Sequence, residues 1–66
     1  MFNIFLSKQA KYVAQFLGIS EQEALKFNQW QAREMLNVYF DDYLNYNDYD
    51  YVNSIRDFYL NKLGNI

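Results

Sequence analysis

The chain has no cysteine, no histidine, no proline and only two glycines in 66 residues. Threonine is missing too. Without Cys there is no disulfide and no thiolate metal site. Without His, the commonest metal ligand and the usual general base are gone. Without Pro the strongest helix breaker is absent, so helices must be ended by their caps. Gly18 and Gly64 stand too far apart for a Gly-rich phosphate loop. Ser7, Ser20 and Ser54 are the only aliphatic hydroxyls. Asp41 and Asp42 are neighbours, so on a helix they diverge by about 100° and do not share a site. Glu34, beside Arg33, reads as surface charge. These absences predict a protein that is not an enzyme and carries no cofactor.

Long hydrophobic runs are also missing. Met1 to Leu6 is apolar but far too short to span a bilayer. It lacks the basic region and small-residue cleavage site of a signal peptide. The expectation is a cytoplasmic protein with no membrane partner.

What is present is apolar and aromatic. Hydrophobic residues make up 52% of the chain and aromatics 21%, which excludes the disordered class. The length suits one domain over residues 1–66. Domains this small lean on disulfides, metals or oligomerisation. With the first two closed, stability must come from packed helices or a second copy of the chain. Seven Tyr, six Phe and one Trp exceed what so small a core can hide. Some must lie on the surface, where Tyr and Trp are favoured contact residues.

The net charge is −2, and it is unevenly spread. Residues 1–37 carry four basic and three acidic side chains, giving +1; residues 38–66 carry two basic and five acidic, giving −3. No basic stripe is visible, and the second half would repel nucleic acid. Phe, Tyr, Ile, Asn, Lys and Met together supply 31 of 66 residues. Apart from Met, that set is written largely in AT-rich codons. It suits an AT-rich bacterium, or a phage or plasmid living in one.

The periodicity is helical. Ala10, Val13, Ala14 and Leu17 recur at steps of three and four, with Phe16 adjacent. They predict a helix from Ser7 to Leu17, closed by Gly18 in the left-handed conformation. Ser20 with Glu23 forms a capping box, so a second helix should start at Glu21 and run to Phe27. Asn28 with Gln31 repeats that logic and predicts a third helix over 29–44. Its stripe is Ala32, Met35, Leu36, Tyr39, Phe40 and Tyr43. Asn45, Tyr46 and Asn47 read as a polar turn. Asp48 and Asp50 suit the start of a fourth helix, as caps or as charge at the positive end of its dipole. Its stripe is Val52, Ile55, Tyr59 and Leu63, widened by Phe58. Lys62 and Gly64 fit its end. The predicted fold is all-α, a small compact bundle of three to four helices.

Residues 10–27 resemble a helix-turn-helix segment. Ala14 and Gly18 stand at the close-packing and turn positions. Val13, Leu17, Ile19, Ala24 and Phe27 stand at the buried ones. That resemblance implies a small DNA-binding regulator, reading bases through Gln22 and Lys26. Glu21 and Glu23 would then meet phosphate, where base-reading helices bring basic or amide side chains. Leu17-Gly18-Ile19, Ala24-Leu25 and the stretch 28–43 also resemble the three-helix ubiquitin-associated type of domain, a likeness of fold that carries no function.

The most unusual stretch is 39–51. It holds Asp41, Asp42, Asp48 and Asp50 among five Tyr and one Phe. In one reading the acids are solvated or cap helices, and the rings pack with their hydroxyls in water. In a second it is an interface: Tyr supplies rigid contact area at low entropy cost, and Asp meets Arg or Lys of a basic partner. In a third the four Asp hold Ca²⁺ or Mg²⁺. For a calcium loop opening at Asp48, however, Asn53 replaces the needed Gly, and Tyr59 replaces the bidentate acid. The expectation is therefore no metal site, and a protein-binding surface at Tyr39, Asp42, Tyr43, Tyr46, Asp48, Tyr49 and Asp50. Size, composition and acid–aromatic surface resemble, in style, phage or mobile-element accessory proteins that inhibit a host nucleic-acid-acting or defence protein. The partner so implied is a host protein with a basic surface, not nucleic acid. A homodimer through the N-terminal arm or the Tyr-rich face is a further expectation.

Overall fold

The computed structural model describes residues 7–64. Met1 to Leu6, and with them the N-terminal arm of the expected dimer, lie outside the described residues. Five helices follow one another: α1 Ser7–Leu17, α2 Glu21–Ala24, α3 Gln29–Tyr39, α4 Asp42–Asn47 and α5 Tyr49–Gly64. The class is all-α, as the periodicity predicts; two of the helices are short.

The first half folds as its local signals dictate. Gly18 has a φ of 72°. The Ala14 carbonyl accepts from both Gly18 N (2.8 Å) and Ile19 N (3.0 Å), which closes α1. Ser20 Oγ accepts from Glu23 N at 3.1 Å, and Glu23 Oε1 accepts from Ser20 N at 3.2 Å. Asn28 and Gln31 make the same reciprocal pair at 2.9 Å each. Such boxes satisfy donors that a helix start otherwise leaves open. The second helix stops at Ala24 rather than Phe27, because Lys26 N and Phe27 N turn back to Glu23 and Ala24 carbonyls. Phe27 is then free to enter the core.

The expected third helix is cut in two. Phe40 ends α3, and Asp41 starts α4 by accepting from Leu44 N at 3.1 Å. Asn45, read as part of a turn, lies inside α4. The two hydrogens of its side-chain amide are shared among the carbonyls of Val38 (3.0 Å), Tyr39 (3.2 Å) and Asp41 (2.7 Å). Val38 and Tyr39 lie in the last turn of α3, and the Asp41 carbonyl, which opens α4, also accepts from Asn45 N at 3.1 Å. A single residue, Asp48, separates α4 from α5.

The core gathers Ala10, Val13, Ala14, Phe16 and Leu17 from α1, and Ala24 and Phe27 from the α2 region. It adds Ala32, Met35 and Val38 from α3, and Val52 and Tyr59 from α5. Met35, Val13 and Val52 are its largest fully enclosed side chains. Two expected core residues, Phe40 and Tyr43, are exposed: Phe40 lies about 140° around α3 from Met35, the centre of its buried face, and Tyr43 lies beyond the break. Val38 takes the buried position. Phe58 also lies outside, edge-on to Tyr59 and under the Lys62 ammonium.

Candidate functional site

The break at Phe40 and the single-residue joint at Asp48 decide what the Asp/Tyr stretch presents. Tyr43 is 70% exposed, Tyr46 84% and Tyr49 63%. Phe40 and Tyr51 are exposed as well. Five of the eight exposed large hydrophobics of the described residues therefore fall within 40–51. Asp42, Asp48 and Asp50 are exposed beside them. Asp42 sits in the first turn of α4 and Asp50 in the first turn of α5, where negative charge suits the helix dipole. The Asp48 carbonyl accepts from Val52 N at 3.2 Å and opens α5. No Lys or Arg occurs between Arg33 and Arg56.

Tyr39 differs from the other six candidates. It is half-buried, and its ring packs on Phe16 at 5.4 Å and on Phe40 at 5.2 Å. Its hydroxyl donates to Gln15 Oε1 at 3.3 Å. Phe40 meets Tyr12 edge-on at 5.2 Å. Tyr39 supports the surface from beneath rather than forming it. Asp41 likewise is half-buried and spends one carboxylate oxygen on its cap.

The sequence gives no sign of a neighbouring groove. It is open, about 530 Å³, and runs along α3. Trp30, Arg33, Glu34, Asn37 and Val38 line it from α3, Asp41 and Leu44 from the start of α4, and Tyr51 from α5. Trp30 to Val38 recur at helical steps, a pattern visible in sequence. The approach of Tyr51 across 21 positions is not. The Arg33 guanidinium lies 5.4 Å from the centre of the Trp30 ring. Glu34 accepts a hydrogen bond from the Tyr59 hydroxyl. Burial first, and then Glu34 as hydrogen-bond partner and neighbouring negative charge, push the Tyr59 hydroxyl up to about 12.

Among the described residues, no three His, Cys, Asp or Glu side chains are grouped to hold a metal ion. No helix among them is long and apolar enough to cross a membrane. In comparison with known proteins, no family, no curated sequence and no solved structure matches the chain.

Proposed function

We propose that this chain acts by binding another protein through the acidic, Tyr-rich surface of residues 40–51, and in doing so inhibits it. The observation that carries the reading is the exposure of Tyr43, Tyr46 and Tyr49 on a stretch without a basic side chain. Rings left in water on rigid helices offer contact area at little entropic cost. Asp42, Asp48 and Asp50 between them select a partner with Arg or Lys on its surface and steer its approach. A host protein that acts on nucleic acid, in defence or otherwise, has such a surface because it must meet phosphate. The style of the sequence, small, acid–aromatic and AT-rich, suits a phage or mobile-element protein directed at such a target.

DNA binding through α2 draws less support. A helix of four residues extends about 6 Å, and its exposed side chains include Glu21 and Glu23. The test is affinity capture from a bacterial lysate, repeated with Tyr43→Ala and Asp48→Ala. Truncating an aromatic anchor costs about 2 kcal/mol or more, so capture by Tyr43→Ala falls roughly thirtyfold. Capture that survives both substitutions rejects the surface. Salt-sensitive retention of duplex DNA by the intact chain would transfer the function to the first half.

A further inference from the structure

The groove along α3 pairs aromatic walls with free carboxylate oxygens. Glu34 uses Oε1 for Tyr59, and Asp41 uses Oδ1 for Leu44 N. The second oxygen of each has no partner among the described residues. Arg33 is the only basic side chain in the lining, and its guanidinium is engaged over Trp30. The chain thus already stacks one cation on one wall of this groove. Tyr51, on the other wall, has no ring or cation partner among the described residues. With two acids against one engaged base, the lining carries −1. Val38 and Leu44 add apolar floor. At about 530 Å³ the groove has room for more than one side chain.

We infer that this groove receives a short basic segment of the partner protein, with an Arg or Lys side chain set against Tyr51 and bridging Glu34 and Asp41. The inference rests on the protein-binding reading above and names where the partner's basic residue anchors. Charge complementarity selects the occupant: an acidic segment would face both carboxylates, and a wholly apolar one would strip water from them without replacing it. A cation over an aromatic face and beside a carboxylate is held by both interactions at once.

The probes are two blocked pentapeptides, Ala-Leu-Arg-Leu-Ala and Ala-Leu-Glu-Leu-Ala, titrated into the intact chain. Trp30 is the only tryptophan, so its fluorescence reports the groove directly, and amide NMR shifts map the site. The Arg peptide should give a saturable change centred on Trp30, Glu34, Asp41 and Tyr51; the Glu peptide should give none. The double variant Glu34→Gln/Asp41→Asn should bind the Arg peptide about tenfold more weakly, the sum of two partly exposed ion pairs. Gln still accepts from Tyr59 and Asn still caps α4, so the fold is preserved. Should the double variant unfold, the contrast between the two peptides on the unsubstituted chain decides alone. An equal response to both peptides, no saturable response, or undiminished binding by the folded double variant overturns the inference. A captured partner that is lost on Tyr43→Ala yet indifferent to Glu34→Gln/Asp41→Asn overturns the groove while leaving the Tyr surface standing.

Discussion

Arg56 joins the two ends of the described chain. Its Nε donates to the Phe16 carbonyl at 2.8 Å, and its guanidinium stacks 4.7 Å from the centre of the Phe16 ring. Nη1 is steadied by Asn53 Oδ1 at 2.6 Å. That carbonyl lies in the last turn of α1, where helix partners run out and a cation is favoured. Arg56→Leu keeps much of the packing and removes both hydrogen bonds and the cation–π contact. It should lower stability by about 1–2 kcal/mol, read from a urea midpoint; an unchanged midpoint would mean water serves Phe16 equally well. Tyr59 makes a second prediction. Its hydroxyl is raised from 10.0 to about 12 in the folded chain. Between those values the unfolded chain loses the proton while the folded chain keeps it. The contribution of Tyr59 to stability is therefore intact below pH 10 and is lost as pH rises towards 12. In Tyr59→Phe the fall over that window should be shallower. Neither contact was legible in sequence, because Arg56 with Phe16 and Tyr59 with Glu34 are 40 and 25 positions apart.

At the scale of elements, what the sequence disclosed was local. The bounds of α1, the Gly18 stop and both capping boxes depend on residues within five positions of each other, and all four stand as predicted. The structure ends α3 at Tyr39, five residues before the predicted end, although the stripe from Ala32 runs on through Phe40 and Tyr43. What stops the helix is polar. Asp41 offers a cap to Leu44, and Asn45 reaches back to three carbonyls. An Asn after an apolar stripe looks like a turn residue from sequence; its service to the preceding helix appears only when both helices are placed. Asn45→Ala leaves those carbonyls half-buried without the amide. It should cost about 1–2 kcal/mol and loosen the α3–α4 corner. Amide exchange should quicken at Leu44 to Asn47 and stay unchanged at Val13 to Leu17. The same break explains the candidate site. Had α3 continued to residue 44, Tyr43 would lie about 20° around the helix from buried Ala32 and share its face. By ending at Tyr39, the helix takes Tyr43 off that face, whereas Phe40, about 140° from Met35, faces outward in either case.

The described residues span 38 × 23 × 18 Å and share one core. A chain of this length has a stability of roughly 3–10 kcal/mol, so Asn45 or Arg56 matters to folding whereas a solvated ring does not. Replacing Tyr43, Tyr46 and Tyr49 together by Ser should change stability by about 0.5 kcal/mol or less per site. Large aromatics kept in water bring no benefit to the fold, and the proposed contact with a partner would give them a use. The most direct test is the footprint of that contact. Amide hydrogen exchange is compared for the chain alone and in its captured complex. Exchange should slow across 41–51 and stay unchanged in α1 and α2. Protection confined to α1 and α2, with 41–51 exchanging as in the free chain, would contradict the proposed contact.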